Sequence, residues 1–100
     1  MNKSPIDPAS RLQLRGDDTC TFVATVSAMV GGRKRHCAVF CVVHKEKQAA
    51  FTHVYLVPVT AAARPEVFLA TYFEGERVGQ AISWAWAQYQ IKTAAIAQAA

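Results

Sequence analysis

The sequence predicts an α+β fold: an antiparallel β-meander of four to five strands with one long C-terminal helix packed on one face. Three observations lead there. Residues 19–30 alternate in hydropathy as a half-buried strand does. A Gly31-Gly32 pair separates that run from a second β-rich run. After Gly75 the apolar spacing lengthens to the helical period.

Residues 1–10 carry Pro5 and Pro8 among polar neighbours and read as a flexible N-terminal arm, leaving 11–100 as a single α+β domain. Arg11 to Arg15 alternates as a short first strand, and Gly16-Asp17-Asp18 is turn chemistry. Within 19–30, Cys20, Phe22, Ala24, Val26, Ala28 and Val30 alternate with Thr19, Thr21, Val23, Thr25, Ser27 and Met29. Thr and Val suit a pleated, half-buried surface. Two glycines between such runs predict a tight hairpin into residues 33–43. A two-residue loop sets Val30 against Arg33. Continued regularly, the ladder sets Val26 against Cys37, Ala24 against Val39, Phe22 against Cys41 and Cys20 against Val43. All of these are apolar or thiol, on one side of the ribbon.

His44 to Gln48 is a charged turn. Ala49 to Val59 is a third strand, closed by Pro58 as a strand end allows. A loop over Lys45 to Gln48 sets Val54 against Val39 and Leu56 against Cys37, and adds Ala50 and Thr52 to the same face. Residues 60–65 form a connection with one helical turn at Ala61-Ala62-Ala63, and Glu66 to Phe73 is the fourth strand. Gly75 and Glu76 lead into a helix on which Val78, Ile82, Ala85, Tyr89 and Ile96 share a face with Trp86 beside them. About 22 residues at 1.5 Å per residue give a helix of ~33 Å. The expected core joins Phe22, Val26, Val39, Val54, Ile82 and Tyr89.

Composition bounds the class. The chain has 100 residues, 52% hydrophobic and 18% charged, which suits one globular domain and not a disordered tail. No run approaches the roughly 18 apolar residues of a membrane span, so no membrane partner is expected. The net charge of +4 permits an acidic partner without requiring one. Cys20, Cys37 and Cys41 are odd in number, and the N-terminus shows no apolar signal segment. Reduced thiols in a cytoplasmic protein are the expectation.

Motifs for chemistry are scarce. His36-Cys37-x3-Cys41-x2-His44 has the residue types of a metal site. In a strand, however, the two cysteines stand ~13 Å apart and the histidines point to the other side. The cysteines then pack as small hydrophobes, and no metal site or cofactor is expected. No nucleophile elbow, Walker loop or dinucleotide fingerprint occurs, and most carboxylates fall at turns. No catalytic residue is assigned, and the chain reads as non-enzymatic.

Two surfaces invite partners. One sheet face carries Val23, Phe40, Val42, Phe51, His53, Tyr55 and Val57, which is apolar for a face in water. Either the N-terminal arm, the 60–65 connection or a subunit covers it, or it binds a protein partner or a second copy as a homodimer. Phe40, Phe51, His53 and Tyr55 are its candidate contacts. Trp84 is a further candidate on the helix, lying with Ile91 away from the Val78–Ile82–Tyr89 face. The other surface is the hairpin tip Arg33, Lys34, Arg35 and His36, which with Arg11 and Arg15 could touch nucleic-acid phosphates or simply keep a strand end soluble. The expected function is a non-catalytic protein-binding module, a small inhibitor or adaptor. Phage and plasmid accessory products, anti-CRISPR inhibitors among them, are often of this kind, though no residue here carries such a resemblance. The alternative is a basic nucleic-acid-binding protein.

Overall fold

Four strands lie in chain order across one antiparallel sheet: β1 (Thr19–Val30), β2 (Arg33–Lys45), β3 (Ala50–Pro58) and β4 (Phe68–Glu74). One helix, α1 (Val78–Tyr89), follows and packs on one face. This α+β meander is the architecture expected from the sequence. The computed structural model describes residues 12–59 and 66–91. The 1–10 arm, Arg11, the 60–65 connection and Ile96 lie outside the described residues. Residues 12–15 are not a strand but lead into a turn in which the Asp18 N–H donates to the Arg15 carbonyl at 3.0 Å. The Asp18 carboxylate accepts the Arg15 N–H in return, also at 3.0 Å, which closes the turn before β1.

Gly31 and Gly32 have φ of +58° and +80°. Positive φ at both positions is the type I′ condition, whose twist matches the flanking strands. The ladder therefore starts as expected, with Val30 on Arg33, Val26 on Cys37 and Ala24 on Val39. It then slips. Phe22 pairs with Phe40, not Cys41, and Cys20 with Val42, not Val43. Val23 is the extra residue of a β-bulge, and everything before it changes face. Phe22 thus leaves the expected core and is 56% exposed, while Val23 packs on the helix side.

The second connection keeps its expected length but sits one residue later. Its closing bond runs from the Glu46 N–H to the Ala49 carbonyl at 2.8 Å. Val39 therefore faces Leu56, and Cys41 faces Val54. Moving a loop of fixed length by one residue shifts the pairing by two, so every side chain keeps its face. A second bulge sits in β4. Val54 faces Thr71 but Tyr55 faces Leu69, leaving Ala70 as the extra residue. Ala70, like Val23, packs toward the helix.

The helix-side core holds Val26, Ala28, Val30, Cys37, Val39, Cys41, Val54 and Leu56 against Ala81 and Ala85. Those two alanines are fully buried and let the helix lie close to the sheet. They also centre the buried stripe. Ile82 and Tyr89 flank it on one side and Trp84 on the other, so Trp84 and Ile91 join the core margin. Trp86, expected beside the core, is 39% exposed instead. The helix is shorter than expected. Gln90 turns left-handed at φ 54°, and the Gln90 and Ile91 N–H groups both close on the Trp86 carbonyl.

The helix start has no capping side chain of its own. Thr52 of β3, fully buried, supplies the cap from across the fold. Its hydroxyl donates to the Gly75 carbonyl at 2.7 Å and accepts the Arg77 N–H at 2.8 Å. Gly75 takes φ +87° to make that entry, and its N–H donates to the Ala50 carbonyl at 2.7 Å. Thr52→Val keeps the shape but removes the partner of the part-buried Gly75 carbonyl and Arg77 N–H, so it should lower unfolding free energy by about 1 kcal/mol. Urea denaturation measures this, and an unchanged midpoint would remove Thr52 from its role.

Candidate functional site

The sheet face away from α1 is built from the even positions of β2 and the odd positions of β3. Ala38, Phe40, Val42 and Val57 are buried there, with Leu12 packed over them. Both bulges then add large residues at its margins. Phe22, Phe40, Tyr55 and Leu69 are consecutive partners across the four strands. They make one transverse row from edge to edge, ~14 Å across at the strand spacing. The Phe22 and Phe40 rings lie 5.6 Å apart. Phe40 is nearly buried, whereas Phe22 and Leu69 at the row's ends are more than half exposed. Tyr72, equally exposed, stands in the next row with its ring 5.8 Å from His53.

Beside that row lies a hydrogen-bonded chain of four side chains. Asp18 sits at its inner end, with its carboxylate almost wholly shielded. Its oxygens accept the backbone N–H of Arg15 and that of Lys45, and one of them meets His44 Nδ1 at 2.9 Å. His44 Nε2 lies 2.9 Å from the Tyr55 hydroxyl, which lies 2.9 Å from His53 Nδ1. The two imidazoles meet edge to face at 4.7 Å. Asp18 accepts from Nδ1 of His44, so neutral His44 offers Nε2 as an acceptor. Tyr55 then donates to His44 and accepts from His53. A proton on His44 Nε2 reverses both contacts: His44 donates to Tyr55, and Tyr55 donates to His53. One hydroxyl thus couples the states of two histidines.

The electrostatics follow the geometry. The Arg15 N–H holds the Asp18 carboxyl below its ordinary range, aided by His44 and Lys45 against the opposing pull of burial. Burial pushes His53 down, and the neighbouring charge of His44 adds to it. Burial, then the charge of Asp18, pushes the Tyr55 phenol up. Both effects favour the protonated phenol at Tyr55, the form that can donate a hydrogen bond. A cleft of about 410 Å³ opens beside the chain, lined by Arg15, Asp18, His44, Lys45, Phe51 and His53 among others.

The remaining candidates lie apart. Trp84 is on the opposite side of the sheet, edge to face with Tyr89 at 5.9 Å. Cys37 and Cys41 are buried under the helix, with the Cys41 thiol pushed up to about 11 by burial, which suppresses the thiolate. Among the described residues no group of three or more potential ligands is placed to hold a metal ion, and no helix is long and apolar enough to cross a membrane. Arg33, Lys34, Arg35 and His36 line one cleft of about 380 Å³ at the hairpin tip, with Ser27 beside them. Arg35 is paired with Glu66 at 2.7 Å. The length of β2 separates Arg33 and Lys34 from the Arg15 end of the sheet, ~40 Å at the rise of a strand. Comparisons with protein-family models, with curated proteins and with solved structures give no significant match.

The spacing of His53 and Tyr55 puts both on one face. Asp18 and His44 have the local signature of turn residues, and nothing local in the chain joins two positions 26 apart.

The half-buried chain should make stability fall in acid. His53 is depressed from its ordinary 6.5, so on unfolding it regains affinity for a proton. Its contribution is intact above 6.5 and is lost as pH falls through the folded value. Asp18, depressed from 3.8, acts in the same direction at lower pH. The melting temperature should be level above about pH 7, decline below about 6.5, and decline again below about 4. His53→Gln should flatten the first decline; an unaltered profile in that variant would contradict the assignment.

Proposed function

We propose that the chain is a non-catalytic protein-binding module, an inhibitor or adaptor, that takes a partner on the sheet face opposite α1. The observation behind this is the transverse row: Phe22 at one edge, and Leu69 with Tyr72 at the other, stand more than half exposed at the margins of a buried apolar floor. Isolated exposed hydrophobes are ordinary, but large ones gathered on one face mark contact surfaces. Aromatic anchors carry most interface energy, while charged rims contribute little. Phe22 and Tyr72 have the exposure an anchor needs. Phe40 belongs to the floor beneath, and Phe51, His53 and Tyr55 are half-buried around the hydrogen-bonded chain. The buried thiols of Cys37 and Cys41 fit a reducing, cytoplasmic setting.

Capture of a partner from a host extract, followed by titration with the purified partner, tests this. Phe22→Ser with Leu69→Ser should weaken binding by at least ~30-fold. The melting temperature should change little, because both side chains are already exposed. Wild-type binding should vary weakly with salt. If the captured ligand is nucleic acid, lost with Arg33→Ala and Lys34→Ala and weakened steeply by salt, the basic alternative replaces this reading.

A further inference from the structure

We infer that two copies of this chain pair through the outer edge of β1, antiparallel, with the two-fold axis at Ser27. Among the described residues β1 has a hydrogen-bonded neighbour on one side only. An unpaired edge of this length is normally blunted by charge, proline, brevity or a bulge. The other edge, β4, is short, bulged at Ala70 and closed by Glu74. β1 runs Thr-Cys-Thr-Phe-Val-Ala-Thr-Val-Ser-Ala-Met-Val, with no charge, no proline and no glycine. Its bulge at Val23 disrupts only the first part, so residues 24–30 remain a regular, uncharged pairing edge.

The second copy is the occupant that this edge itself specifies. An uncharged strand gains nothing from a charged one, and residues 24–30 are matched by themselves in reverse. Joining two such sheets requires the helix-side row of one copy to meet the helix-side row of the other, so residues of like parity must face each other. Among the registers that satisfy this, the one centred on Ser27 uses the whole regular segment. It sets Ala24 opposite Val30, Val26 opposite Ala28, Thr25 opposite Met29 and Ser27 opposite itself. The first two pairs extend the buried apolar row across the junction. The other two place hydroxyls and the exposed Met29 on the far face. The arrangement is isologous and closes at two copies. It produces one continuous sheet of eight strands with both helices on the same side. It stands independently of the partner surface proposed above, because Phe22 lies beyond the bulge.

Sedimentation of the full chain from micromolar to millimolar concentration tests the pairing. The wild type should pass from one to two copies over that range. Ser27→Lys sets two like charges face to face and should sediment as a monomer with its melting temperature little changed, since Ser27 is exposed and gives up one exposed contact with His36 Nδ1 at 3.2 Å. An equimolar mixture of Ser27→Lys and Ser27→Glu should dimerise again, which a merely misfolded variant would not do. A wild type that stays monomeric at millimolar concentration overturns the proposal. So does a Ser27→Lys protein that still dimerises, or a mixture that does not.

Discussion

Two bulges in the edge strands decide what each face of this sheet presents. Val23 in β1 and Ala70 in β4 are each one residue too many for the ladder. Each turns toward the helix, and each forces a larger neighbour, Phe22 or Leu69, onto the opposite face. Without the bulges, Val23 would stand opposite Phe40 and Ala70 opposite Tyr55. The row across that face would end in small side chains. With them, it ends in a phenylalanine and a leucine, both well exposed. The cost is a local break in backbone pairing at sheet edges, where bulges are best tolerated. The exposed apolar margin therefore comes from the backbone geometry of the edges and not from the central strands.

The interior of the sheet supplies the rigidity that makes this margin usable. β2 is buried on both faces from Cys37 to Val43, under α1 on one side and with Leu12 on the other, while β3 is buried on the helix side and half-buried on the far side up to Val57. Thr52 ties the helix start to β3, so the helix and the sheet's centre form one unit. On the far face the chain from Asp18 through His44 and Tyr55 to His53 binds the turn before β1 to both central strands. That chain links a shielded carboxylate, two imidazoles and a phenol through three hydrogen bonds. A satisfied polar network of this kind fixes the position of its members more firmly than apolar packing alone.

Much of this architecture is legible in the sequence, and the parts that are not share a cause. Gly31-Gly32 announces its turn because only residues tolerant of positive φ fit there. The loop after β2 is placed one residue early, yet Phe51, His53 and Tyr55 still fall on the right face, because parity survives a shift of two in the pairing. Bulges leave no such trace. Val23 and Ala70 look like their neighbours, and only the tertiary fit selects which residue is extra. A regular ladder puts Phe22 inside, and the bulge alone exposes it; Phe40 keeps its expected face and is buried because Leu12 packs over it. The helix end is likewise silent: Gln90 is no glycine, and the apolar spacing continues past it. The two tryptophans change places because the stripe is centred on Ala81 and Ala85, whose burial is invisible to a count of large hydrophobes.

The face assignment of the edge strands is the point on which the rest turns, and cross-strand nuclear Overhauser contacts measure it directly. Contacts are expected from the Phe22 ring to the Phe40 ring, and from Tyr55 to the Leu69 methyls. Val23 and Ala70 should contact the helix-side core. Contacts from the Phe22 ring to Cys41 and Ile82, with Val23 opposite Phe40, would mean that β1 runs regularly, that the row ends in small side chains, and that the account is wrong.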